Sequence, residues 1–212
     1  MTLVIINPNS TEAMTAGMLE VARNLAPDQV VEGWTSHYGP PAIQGAEDGA
    51  AAVPPLLELV AEADRLGATG IILGCFDDTG LAEAAELARC PVLGLGQAAY
   101  HTAALRQWRF SVVTTLSVSV PVLEENILSY GLSGYLGRVR ASDIPVLELE
   151  TDPAAVARIA AEITAAHAEE GAQAIVLGCA GMTGLSEELR IHAPVPIIDP
   201  VEAAVRFVGA VG

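Results

Sequence analysis

Short continuous apolar runs alternate along the chain with stretches whose apolar residues recur at helical spacing. Leu3-Val4-Ile5-Ile6 is such a run, as expected of a parallel strand buried on both faces. It leads into Asn7-Pro8-Asn9-Ser10-Thr11, where Pro8 breaks the strand and the polar side chains suit the start of a helix over 12–25. Gln29–Thr35 predicts a second strand and Tyr38–Gly45 a loop. Residues 47–66 have helical spacing (Ala50, Val53, Leu57, Val60, Ala61, Leu66), with Pro54-Pro55 marking a kink or a late start. A third strand over 69–74 ends at Cys75. A helix over 80–88, the strand Val92–Leu95 and a helix over Gln97–Leu105 follow.

The pattern restarts at Phe110-Ser111-Val112-Val113, which runs into Thr114-Thr115-Leu116-Ser117 much as the first strand runs into its polar turn. A helix over 119–130 and short strands at Gly137–Arg140 and Val146–Leu149 come next. Asp152-Pro153 reads as an N-cap followed by proline at the first helical position, opening a helix to Glu170. Then come a strand over 173–178, a helix over 184–191, the strand Pro196-Ile197-Ile198 and a last helix capped by Asp199-Pro200.

Strand alternating with helix predicts an α/β fold with parallel sheets and right-handed crossovers. The restart predicts two pseudo-symmetric lobes, each a parallel sheet flanked by helices. Residues 1–95 with 199–212 form the first and 96–198 the second, and the active site lies in the cleft between them, where the strand ends point.

The repeat is sharpest at one stretch. Residues 67–81 read GATGIILGCFDDTGL and residues 171–185 read GAQAIVLGCAGMTGL. Gly74-Cys75 and Gly178-Cys179 fall at equivalent points, as do Thr79-Gly80-Leu81 and Thr183-Gly184-Leu185. Two of only three cysteines are thereby placed at matching strand ends; Cys90, outside the pattern, reads as structural.

Composition narrows the function. The formal charge of −16 opposes binding to nucleic acid or an anionic membrane. All ten basic residues are arginine, which excludes a lysine Schiff base to pyridoxal phosphate and a Walker-type phosphate loop. No glycine-rich dinucleotide fingerprint follows the first strand, and the four histidines show no metal-ligand spacing, so neither a cofactor nor a metal is expected. An odd cysteine count, no apolar leader and no apolar run near the roughly 20 residues that span a bilayer point to a cytoplasmic protein.

A cysteine between a parallel strand and a helix N-terminus sits near unpaired backbone N–H groups, which favour the thiolate. Two such thiols facing one cleft from opposite lobes allow one to take a proton from a carbon acid while the other returns one to the opposite face. The alternatives are two small buried hydrophobes duplicated with the fold, a Cys–His nucleophile pair, and a metal site using Asp77-Asp78, for which helix capping is the simpler role.

The opening Ile-Asn-Pro-Asn-Ser-Thr, Gly39-Pro40 through Ile43-Gln44-Gly45, Gly74-Cys75-Phe76-Asp77-Asp78, Phe110 to Thr115, Gly178-Cys179-Ala180-Gly181-Met182 and Ala203-Ala204-Val205 together resemble the hydantoin racemases of the aspartate/glutamate racemase superfamily. The resemblance spans the chain. It implies a cofactor-independent racemase of 5-monosubstituted hydantoins, Cys75 and Cys179 as its acid/base pair, and a homo-oligomer. Amino-acid racemases of the superfamily carry Cys-Asn-Thr, whereas Cys75-Phe76-Asp77 and Cys179-Ala180-Gly181 suit a neutral ring. Arylmalonate decarboxylase keeps only the second cysteine. Allantoin racemase and, behind it, maleate cis–trans isomerase remain alternatives, as does a binding protein that inherited the fold. Thr79 stands where the family usually has Pro, Gln97 where it has Glu, and Pro200 where it has Gly.

The expected pocket for a hydantoin-type ring adds Asn9, Ile43, Phe76, Asp77, Thr114, Thr115, Ala180 and Gly181 to the two cysteines. Helix capping is the competing role for Asn9, Thr114 and Thr115, and ordinary core packing for Ile43 and Phe76.

Overall fold

The computed structural model describes residues 2–149 and 151–211, and there the apolar runs become two four-stranded parallel sheets. The first contains β1 (Thr2–Asn7), β2 (Val30–Thr35), β3 (Ala68–Leu73) and β4 (Val92–Gly94), in the order β2-β1-β3-β4. The second contains β5 (Phe110–Thr114), β6 (Leu136–Ala141), β7 (Ala174–Leu177) and β8 (Ile197–Ile198), in the matching order β6-β5-β7-β8. In each sheet the winding direction reverses beside the first strand, and crevices open at the carboxyl ends of the strands at such switch points.

The helices are α1 (Glu12–Leu25), α2 (Ala46–Arg65), α3 (Leu81–Leu87), α4 (Leu95–Leu105), α5 (Val120–Ser129), α6 (Ala155–Glu170), α7 (Ser186–His192) and α8 (Pro200–Val211). Side chains alternate across each strand. Leu3 and Ile5 point into a core shared with Phe110, Val112 and Val176 of the second sheet, and Tyr100 of α4 and Ala204 of α8 complete it. Val4 and Ile6 point the other way, onto Leu56 and Val60 of α2. Val113 and Ile175 face Ile159 and Ile163 of α6. Although α8 follows the second sheet, it packs on β3, β4 and α1 of the first. Gly70 permits this, since a Cβ there would lie 2.6 Å from Val208 Cγ2.

Three local expectations change. Pro54 and Pro55 neither start nor end α2, which runs through them. The carbonyls deprived of donors belong to Ala50 and Ala51, on the exposed side where water reaches them. Val146–Leu149 is no strand: residues Val146–Glu148 form a 3-10 turn after Pro145, closed by Glu148 N–H bonding to Pro145 O at 2.9 Å. Its buried side chains, Val146 and Leu149, are three apart, the spacing of a turn rather than of a pleat. Asp152 accepts the Ala154 N–H at 2.8 Å in a turn that precedes α6, which begins at Ala155 rather than Pro153. Asp199 does cap α8, accepting the N–H groups of Val201 at 2.8 Å and Glu202 at 3.0 Å. None of the described helices is long and apolar enough to cross a membrane.

Candidate active site

The loops after β1, β3, β5 and β7 converge because these are the central strands of the two sheets, and their carboxyl ends face one cleft. Gly74 and Gly178 each prolong their strand by one bond, donating N–H to Ile6 O and Val113 O, both at 2.8 Å. Close approach explains the glycines. A Cβ on Gly178 would sit 2.8 Å from Thr114 Cβ, and one on Gly74 would sit 2.7 Å from Met18 Cε. The next residue in each case leaves the sheet and turns its thiol into the cleft.

Cys75 and Cys179 line the same cavity, one from each sheet. Asn9, Ile43, Phe76, Asp77, Thr114, Thr115, Ala180 and Gly181 line it too, so all ten residues singled out from the sequence come together. Several have structural duties as well. Asn9 Oδ1 accepts from Asn7 Nδ2 and from the Thr11 N–H, both at 3.0 Å, shaping the turn before α1. Thr114 Oγ1 donates to Gly178 O at 2.8 Å, clamping β5 to the strand end that bears Cys179. Phe76 packs its edge on the Tyr100 ring, with centroids 5.4 Å apart. Met14, Ser119 and Val146 also line the cavity. Sequence pattern showed them only as helix or strand residues, since nothing local distinguishes a helix side that meets a distant loop.

The cavity measures about 30 Å³, room for roughly two waters. An adjoining pocket of about 140 Å³ shares Met14, Val146 and Gly181 with the cavity.

Burial governs the thiols. It pushes Cys75 well above the usual thiol range and Cys179 up to about 12. The charge of Asp77 pushes both the same way. Against this, the Thr79 hydroxyl and the Asp77 backbone N–H favour the Cys75 thiolate, and the N–H groups of Gly181 and Met182 favour that of Cys179. The expected helix N-termini lie farther off. A turn containing Asp78, with φ of 51°, separates Cys75 from α3, and a 3-10 turn over Ala180–Leu185 separates Cys179 from α7. Burial thus outweighs these donors and favours the protonated form of both thiols.

Each thiol loop is gripped from across the cleft. Asn126 Nδ2 on α5 donates to Asp77 O at 2.8 Å, and the Tyr130 hydroxyl donates to Asp78 Oδ2 at 2.8 Å. Asp78 also accepts the N–H groups of Gly96 at 2.9 Å and Gln97 at 2.7 Å, capping α4 rather than the nearer α3. Burial still raises its carboxyl to about 7, against these three donors. Conversely, the turn after Cys179 packs on α1 and α8. The Asp77 carboxyl has no hydrogen-bond partner among the described residues, and burial pushes it up to about 7. No group of three or more His, Cys, Asp and Glu side chains among the described residues is arranged to hold a metal ion.

The chain also resembles known proteins over its length. Residues 3–208 match the Asp/Glu/Hydantoin racemase family. A hydantoin racemase of Rhizobium meliloti is 43% identical over 97% of this chain and 86% of its own length. Among solved structures, allantoin racemase from Klebsiella pneumoniae superposes with a TM-score of 0.93 at 35% identity, covering 99% of this chain and 86% of that one. Allantoin racemase from Pseudomonas fluorescens superposes at 0.94 with 33% identity, covering 99% and 90%. With a whole-length family match and a relative this similar, the chain belongs to the Asp/Glu/hydantoin racemase family.

Proposed function

We propose that the protein is a cofactor-independent racemase of 5-monosubstituted hydantoins, with Cys75 and Cys179 as its two acid/base groups. The observation that carries this reading is the placement of one thiol from each sheet on a single cleft. In one direction a thiolate takes the C5 proton and the C5–H electron pair moves into the ring carbonyl, giving an enolate. The opposite thiol then returns its own proton to the other face of C5 and becomes the thiolate, so the next turnover runs in reverse. Asn9, Ile43, Phe76, Asp77, Thr114, Thr115, Ala180 and Gly181 surround the ring.

The adjoining pocket suits the C5 substituent. Ala13, Met14, Val146, Leu147 and Leu149 make it mainly apolar, with Thr11 and Thr151 among its polar lining. That lining favours an alkyl or arylalkyl group over the polar ureido group of allantoin. Allantoin is nevertheless the second reading, supported by the solved relatives named for it. The same reading divides the lobes as 1–95 with 199–212 and 96–198 and takes the protein as cytoplasmic, with a homo-oligomer as the family resemblance implies.

The test is to incubate one enantiomer of 5-benzylhydantoin in deuterated water. Optical rotation should decay as deuterium enters C5, and Cys75→Ser and Cys179→Ser should each slow this by about 10²–10⁴-fold. Rotation that persists with the wild type, or full activity in both serine variants, overturns the reading. Allantoin and maleate run in parallel distinguish the alternatives.

A further inference from the structure

We propose that Asp77 acts in its protonated form, donating a hydrogen bond to the carbonyl oxygen that becomes the enolate. The proposal rests on the racemase reading above and assigns this residue a chemical role beyond lining the pocket.

Three observations carry it. Asp77 lines the cavity that both thiols enter, and its carboxyl has no hydrogen-bond partner among the described residues. No cation lines that cavity. The titratable groups around Asp77 are Cys75 and Asp78 on its own loop, Cys179 opposite and Tyr100 from α4, with Tyr130, just past the end of α5, beyond Asp78. All are acids. A carboxylate placed among them, half-buried, has no protein donor or cation among the described residues to stabilise it and opposes the thiolate that the chemistry requires; a neutral carboxyl does neither.

The third observation concerns the donors available to an enolate. Backbone N–H groups are the first candidates, but those of Asp77, Gly181 and Met182 favour the thiolate sulfurs. The Thr114 hydroxyl is already donated to Gly178 O, and Asn9 Nδ2 lies against Met14 Sδ at 3.4 Å. A carboxylic acid is a stronger donor than the remaining hydroxyls of Thr115 and Ser119. A carboxyl kept neutral by an apolar setting in order to donate to an enolate is an established catalytic device. Burial pushes Asp77 up to about 7, in the direction this role needs.

The step balances without another reactant. The thiolate removes the C5 proton, the C5–H pair becomes the C4–C5 double bond, and the negative charge arrives on the C4 oxygen against the Asp77 O–H. When the opposite thiol delivers its proton to C5, the carbonyl re-forms and Asp77 retains its own proton. One negative charge is present throughout, passing from sulfur to oxygen to sulfur.

Asp77→Asn keeps a neutral donor and Asp77→Leu removes it, so the pair separates donation from charge. Racemisation of 5-benzylhydantoin is measured from about pH 6 to 8.5. The wild-type rate should level off above the Asp77 ionisation, because carboxyl and thiol then compete for one negative charge. Asp77→Asn should fall by at most about tenfold at pH 7 and continue to climb with pH. Asp77→Leu should lose about 10²–10³-fold in kcat across the range, the usual cost of removing an oxyanion donor. Equal rates in the Asn and Leu variants, or a Leu variant as fast as wild type, overturn the proposal.

A substrate-free measurement guards against misfolding and against a wrong substrate. The carbon-13 carboxyl resonance that disappears in Asp77→Asn should titrate near 7 in the free wild-type protein. Titration in the ordinary carboxylate range overturns the proposal even if hydantoins are racemised. A wild type that racemises no hydantoin but shows the raised titration overturns instead the function proposed in the preceding section.

Discussion

The Thr79 hydroxyl oxygen lies 3.7 Å from the Cys75 sulfur, whereas Thr183, its counterpart in the second Gly-Cys stretch, turns to Asp199 Oδ1 at 3.2 Å. The two thiols therefore have different partners despite the repeat. A hydrogen bond to a charged group contributes about 1.5–3 kcal/mol, with a sulfur acceptor at the low end. Thr79→Val should slow iodoacetamide labelling of Cys75 by about tenfold at pH 8 and leave Cys179 unchanged. Equal slowing of both thiols would remove Thr79 from the account. Since racemisation has an equilibrium constant of one, kcat/KM must stay equal in the two directions. The asymmetry should appear as unequal changes in kcat compensated in KM.

The raised Asp77 carboxyl makes a statement about stability. Its folded-state value near 7 exceeds the roughly 3.9 of an unfolded chain, so the folded protein binds the extra proton between those values. Stability should therefore fall as pH rises from about 4 to 7. Asp77→Asn lacks this dependence. Relative to the wild type it should gain on the order of 2 kcal/mol between pH 4 and pH 8, read from urea midpoints.

Tyr130→Phe withdraws one of three donors from a buried carboxylate and should cost about 1–3 kcal/mol. The freed Cys75 loop should lower kcat several-fold. Alkylation should show a change at Cys75 and none at Cys179.

The two strand-end glycines should respond differently to alanine. At Gly178 the new Cβ meets backbone, 2.9 Å from Thr114 Cα, so β5 and β7 must separate. At Gly74 it first meets the flexible end of Met18. Gly178→Ala should cost about 1–3 kcal/mol and Gly74→Ala clearly less, compared by thermal midpoint.

Val146 lies where the main cavity meets the adjoining pocket. Val146→Ala should widen the junction and raise kcat/KM for benzylhydantoin relative to methylhydantoin by several-fold, about the value of one or two methylene contacts.

Much of this site could be read from the chain because the site is built from strand ends. Continuous apolar runs fix where a parallel strand stops, and one of the two residues just beyond each central strand lines the cavity; hence Asn9, Cys75, Thr115 and Cys179 are all visible. The duplicated Gly-Cys paired the thiols without structural information. Less legible was what crosses between the halves. Asn126 on α5 and Tyr130 just past its end have no local distinction, and their hydrogen bonds to residues 77 and 78 depend on how α5 packs. The raised thiol pKa values were invisible for a similar reason: a Gly-Cys turn suggests a helix N-terminus, but the depth of burial depends on distant segments such as that bearing Ile43. Pro145 could have warned against a strand at 146–149, since the buried spacing after it suits a turn.

Cys75's loop is held by α5, and the turn after Cys179 rests on α1 and α8. Each lobe thus supplies part of the mould for the other's thiol. Loosening one lobe should therefore disturb the thiol carried by the other. If the two thiols are the acid/base pair proposed above, a variant that loosens one lobe should lose both together rather than leave a one-base form that exchanges protons without inverting the carbon.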